Sequence, residues 1–204
     1  MRILFDDALD LVRFRVRPLQ HYQYAFWQPA LLLTALGIIA SAGADGLGDN
    51  VEGRVAFFLL FTWLETLLFT QFMGLWLRLG KWKPSGSLFG LVVAANSVQI
   101  LEPLTSWLPD DAALVGAFAL SVLTITILVH ALTAVSGVSR LRVLVGVLLF
   151  SPLAMMLMGS TLSLAASLDW VQVPPELGLE LHQGDAAQGD AAQGASDGGD
   201  ANAI

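Results

Sequence analysis

Residues 55–77 read VAFFLLFTWLETLLFTQFMGLWL, with Glu65 as the only ionisable side chain. A helix needs about 20 predominantly apolar residues to cross about 30 Å of hydrocarbon, and this run meets that length. The apolar positions are continuous rather than alternating, which excludes a strand of a membrane β-barrel. A helix also satisfies its own backbone where no water is present. Arg78, Lys81, Trp82 and Lys83 follow at once, the basic and aromatic residues that prefer the headgroup level.

Outward from this stretch, four further apolar segments fit the same description: residues 25–44, 87–108, 112–133 and 143–168. Composition agrees, with 55% hydrophobic and only 13% charged residues, against about 25% charged in a soluble domain. The expected fold is therefore all-α, a polytopic bundle of five transmembrane helices occupying residues 25–170. Trp27 marks the inner edge of the first span, and Pro109-Asp110-Asp111 is short enough to fold spans three and four into a hairpin. Arg140 and Arg142 open the fifth span as interface anchors, as Trp27, Arg78, Lys81, Trp82 and Lys83 do for the others.

Five spans place the basic residues very unevenly. Arg2, Arg13, Arg15, Arg17, Arg78, Lys81, Lys83, Arg140 and Arg142 fall on one side and only Arg54 on the other. Basic loops resist translocation, so the rich side is inside: N-terminus in, C-terminus out, in a cell membrane of the bacterial inner-membrane type. The net charge of −7 hides this asymmetry and predicts no partner.

Residues 1–24 lack the uninterrupted apolar core of a signal peptide, because Asp6, Asp7 and Asp10 break it. Ile3, Leu4, Ala8, Leu11 and Val12 recur at helical spacing instead. Two positions remain open for this amphipathic helix: on the inner leaflet, or packed on the inner face of the bundle. Residues 171–204 begin as a linker and end in a tail where Gly-Asp-Ala-Ala-Gln repeats from Gly184 and Gly189. That composition cannot offset its ordering entropy, so an acidic disordered tail is expected.

Polar groups inside the spans are the candidate site, because intramembrane charge is costly. Glu65 lies about 15 Å from the outer interface and Glu102 about 9 Å, at 1.5 Å per residue. Asn96, Gln99 and Glu102 share an arc of roughly 120° on an α-helix, and they meet Glu65 if spans two and three are neighbours. Such groups commonly serve as interhelical hydrogen-bond glue averaging about 0.6 kcal/mol. The alternative is a small proton- or ion-coupled transporter with Glu65 and Glu102 titrating, although no internal repeat or paired broken helices support it. Gly86-x-x-x-Gly90 and Ser163-x-x-x-Ser167 permit close helix approach and read as internal packing.

Catalytic and cofactor signatures are missing. No Gly-x-Ser-x-Gly, His-Glu-x-x-His or phosphate-binding Gly-rich loop occurs. His130 has no ligand at metal spacing, and there are no cysteines, so neither catalytic residues nor metal ligands are expected. The few basic residues lie too close to lipid for nucleic acid.

The topology, together with Pro84-Ser-Gly-Ser-Leu-Phe-Gly entering the third span, Glu102-Pro103 late in it, and His130-Ala-Leu-Thr-Ala-Val-Ser-Gly137 leaving the fourth, resembles the bacterial branch of the Yip domain family, the Ypt/Rab-interacting membrane proteins. The resemblance implies a non-enzymatic integral membrane protein of scaffolding type. It carries no functional residue across and implies no cofactor. The expected role is a scaffold or accessory subunit that binds the bilayer and a membrane-protein partner, or its own copies, through its spans.

Overall fold

A computed structural model describes residues 2–83, 85–107 and 109–172. The expected tail and the Pro174-Pro175 linker lie outside the described residues. Among the described residues there is no strand. Six α-helices follow in order: α1 Arg2–Val12, α2 Trp27–Ala42, α3 Val51–Leu79, α4 Phe89–Asn96, α5 Asp110–Ser136 and α6 Arg140–Ser167. A 3₁₀ segment, Ser97–Trp107, continues α4, and short 3₁₀ turns lie at Leu19–Tyr22 and Asp45–Leu47.

Among the described residues three helices are long and apolar enough to cross a membrane: Val51–Leu79, Ala112–Ser136 and Arg140–Ser167. Two apolar helical stretches are shorter, Trp27–Ala42 and Phe89–Thr105. The long helices run past the expected boundaries because polar end residues still cap or extend them. Asn50 caps α3 by accepting from the Gly53 N–H at 2.9 Å, and its amide donates to the Asp169 carbonyl at 3.0 Å. α5 stops at Gly137, whose φ of +66° is the left-handed C-terminal turn that glycine makes without strain.

The third apolar stretch departs most from a single α-helix. It is α-helical for eight residues and then 3₁₀ for eleven. Pro103 contributes to the change: an α-helix would drive its ring against the Gln99 carbonyl and lose one donor. The Ser97 and Thr105 hydroxyls also donate to the Ala94 and Glu102 carbonyls, both at 2.7 Å. At about 2.0 Å per residue the 3₁₀ part covers about 22 Å, adding to about 12 Å of α4. The two parts together extend about 34 Å.

α4 is the centre of the bundle. Leu91, Val92, Val93, Ala94 and Ala95 are fully buried beneath α1, α2, α3 and α5. The largest core cluster joins Leu91, Val92, Ala94 and Ala95 to Met73 and Leu77 of α3, Ile127, Ala131 and Leu132 of α5, and Val143 and Phe150 of α6. The outward surface is apolar too: Leu114, Phe118, Leu148, Met155 and Met156 are all exposed. Helices apolar on every side are what a lipid solvent permits.

Close approaches fix the threading. A Cβ on Gly90 would strike the Tyr22 carbonyl, and one on Gly86 would lie 2.7 Å from the Gln23 amide. This glycine pair seats the 22–24 segment. A Cβ on Gly53 would strike the Trp170 carbonyl, while one on Gly80 would lie 3.0 Å from Arg142. α6 thus runs antiparallel to α3, with opposite ends meeting opposite partners. Ser163 and Ser167, expected inside, are exposed. The inner face of α6 is taken instead by Thr161 and Ala165, which are buried.

Candidate functional site

Thr62, Glu65, Thr66 and Phe69 occupy one face of α3, at the i, i+3, i+4 and i+7 positions that align along a helix. This face borders a cavity of about 320 Å³ that also receives Asn96, Gln99 and Glu102. Leu33 and Leu36 of α2, Thr124 and Leu128 of α5, and Phe150 of α6 complete the wall. The four polar residues singled out in the sequence therefore share one space. The 3₁₀ geometry sharpens their alignment. With three residues per turn, side chains at i, i+3 and i+6 eclipse, so Asn96, Gln99 and Glu102 form a straight row rather than a 120° arc.

The cavity is graded in exposure. Thr66 is buried, Glu65 and Asn96 are half-buried, and Gln99 and Glu102 are exposed. Among its threonine hydroxyls, that of Thr124 bonds back to its own helix, donating to the Leu120 carbonyl at 2.9 Å, and nearby Thr70 Oγ1 donates to the Thr66 carbonyl at 2.7 Å. The side chains of Glu65, Asn96, Gln99 and Glu102 form no hydrogen bond or ion pair with any described residue. They converge on a shared volume without bonding one another, so the glue expected of them is not formed. Among the described residues no group of three or more His, Asp or Glu side chains is placed to hold a metal.

The expected interface anchors divide into two kinds. Trp27, Arg78, Lys81, Lys83 and Arg140 are exposed. Trp82 is half-buried against the main core cluster. Arg142 is half-buried as well, its guanidinium 5.6 Å from the Trp76 ring centroid, and its carbonyl accepts from Trp76 Nε1 at 2.9 Å. These two act as packing residues at the end of α3.

A second polar cluster was not visible in the sequence. Asp7 is only 1% exposed on the inner face of α1. The Tyr24 hydroxyl donates to Asp7 Oδ2 at 2.7 Å, and His21 Nε2 lies 2.9 Å from Asp7 Oδ1. Arg17 Nη1 stands 3.6 Å from the same carboxylate, and Arg17 Nη2 donates to Asp10 Oδ2 at 2.7 Å. The Arg17 backbone N–H donates to the Tyr22 hydroxyl at 3.1 Å. Burial, reinforced by the hydrogen bond to Asp7, raises the Tyr24 phenol far above its ordinary value, and burial raises Tyr22 as well. The cluster bolts α1 to the start of α2. Its signal in the sequence was Asp7 itself, one residue from Ala8, three from Leu4 and four from Leu11 on an otherwise apolar face. A carboxylate there implies a buried partner. Leu4, Ala8 and Leu11 are buried beside it, whereas Phe5, Leu9 and Val12 on the opposite face are exposed. α1 therefore packs on the bundle and also offers an apolar outer face.

The chain matches no protein-family model, no curated protein and no solved structure.

Proposed function

We propose that this is a five-span protein of a bacterial inner membrane, N-terminus inside and C-terminus outside, acting as a non-enzymatic scaffold or accessory subunit of the kind the Yip resemblance implies. The three long apolar helices support the membrane location, and the nine-to-one distribution of Lys and Arg supports the orientation. One observation carries the scaffold role. Met156, Ser160, Ser163 and Ser167 lie within about 60° of one another on α6, and all four are exposed. Small residues on an uncovered membrane helix allow a second helix to approach closely. Two of the three serine hydroxyls on this face, those of Ser160 and Ser167, donate to the Met156 and Leu164 carbonyls.

Purification in mild detergent tests this. A stoichiometric membrane partner or a homo-oligomer, lost in Ser163→Leu, is the expected result. A monomer indifferent to that substitution overturns it. Topology is tested on the cysteine-free background with a membrane-impermeant thiol reagent. Lys81→Cys should label only from the cytoplasmic side and Asp49→Cys only from outside.

The cavity favours a second reading, a small proton- or ion-coupled transporter using Glu65 and Glu102. Four converging polar side chains without internal partners leave the volume able to take an ion or protons. Reconstituted liposomes loaded with a pH-sensitive dye should then show flux that Glu65→Gln abolishes.

A further inference from the structure

Where the short connection 137–139 joins α5 to α6, a groove of about 450 Å³ opens between the two helices. One end carries Arg140 and His130, and the other runs along Ile125, Val129 and Leu144, with Phe14 closing one side. The groove has a head and a tail. Five residues of α5 separate His130 from Ile125 and four of α6 separate Arg140 from Leu144, so the apolar floor descends about 6–8 Å from the basic end. It is open sideways: Ile125 and Leu144 are 44% and 38% exposed.

The chemistry of the lining is one-sided. Arg140 is the only charged residue in it and forms no ion pair with any described residue. Among the described residues no carboxylate lines the groove. The other polar groups are already engaged: Thr126 Oγ1 donates to the Val122 carbonyl at 2.7 Å, and His130 Nε2 donates to the Phe14 carbonyl at 3.3 Å. Phe14 is held at φ +57°, unfavourable for a bulky residue, with its ring edge-on to His130 at 5.4 Å. The wall is fixed by this link rather than by a charge. Arg140 also opens α6, where Ser139 supplies no side-chain cap. The Val143 N–H is bonded to the Ser139 carbonyl, and the N–H groups before it add the positive end of a helix to the guanidinium.

We propose that this groove binds one anionic glycerophospholipid, with its phosphate at Arg140 and the first methylenes of one acyl chain along Ile125, Val129 and Leu144. A lone unpaired cation above an apolar trough that opens laterally fits an amphiphile with a negative head. It fits neither a soluble anion, which has no use for the trough, nor a zwitterionic lipid, whose ammonium would find no carboxylate. The inference rests on the membrane reading above.

The test uses the full chain in nanodiscs holding equal parts phosphatidylglycerol and phosphatidylcholine, followed by release into detergent and native mass spectrometry of retained lipid. The wild type should retain phosphatidylglycerol at least tenfold over phosphatidylcholine. Arg140→Gln should remove the preference, and Leu144→Trp, which fills the trough, should remove retention of both lipids. Equal retention of the two lipids, an unchanged preference in Arg140→Gln, or displacement of the lipid by millimolar glycerol phosphate alone would each overturn the proposal. A chain that never enters the nanodisc would instead refute the membrane reading.

Discussion

Asp7 adds to the hold that its apolar neighbours Leu4, Ala8 and Leu11 already give α1. Its carboxylate is out of water and faces Tyr24, His21 and Arg17. Tyr24→Phe removes one hydrogen bond to a charged acceptor, an expected loss of about 2 kcal/mol, measurable as a lower Tm in detergent. Asp7→Asn should lose more, because Arg17 and His21 are then left facing a neutral group. The phenols give a pH signature. Both Tyr22 and Tyr24 are raised in the folded state, whereas an unfolded tyrosine ionises near pH ~10. Above that pH the unfolded chain binds fewer protons than the folded one, so stability falls as pH rises. It is fully present below about pH 10. Thermal unfolding between pH 8 and 11 should show the alkaline loss, and the Tyr22→Phe/Tyr24→Phe double variant should flatten it.

Among the elements, α3, α5 and α6 were legible as long apolar runs, since hydropathy reports length and surroundings directly. The third stretch was legible as apolar but not as a broken helix. Hydropathy is blind to the difference between 3.6 and 3.0 residues per turn, and the information lay in Pro103 and in hydroxyls that bond back to their own helix. The membership of the candidate site was legible nonetheless: Glu65, Asn96, Gln99 and Glu102 line one cavity. Their lack of mutual bonds was not, because that depends on the spacing of α3 from the 3₁₀ segment. Pro103→Ala should let α4 continue as an α-helix and swing position 102 about 120° from the row. In a Glu102→Cys background this predicts several-fold slower labelling by a polar thiol reagent. Gly53→Ala sets a methyl against the Trp170 backbone. It should destabilise by about 1–3 kcal/mol, read as a lower midpoint of thermal unfolding.

At the scale of the whole molecule, the bundle is organised around a short helix whose residues 90–95 are buried. α4 is enclosed by α1, α2, α3 and α5, and α1 supplies Leu4 to the cluster that holds Val93. Removing residues 1–17 should therefore lower the Tm while leaving the chain in the membrane fraction, because α3, α5 and α6 retain their full apolar length. Retention of the wild-type Tm would show that α1 adds nothing to the core. The seat of α1 also has a consequence for the order of synthesis. Phe14 meets His130 across 116 positions of chain, and α4 and α5 both contribute to the surface that α1 covers. α1 therefore has nowhere to dock until α4 and α5, which follow it in the chain, have been made. During that interval Leu4, Ala8 and Leu11 must be sheltered by something else, and the nearest apolar phase is the membrane surface at the exit of the insertion machinery.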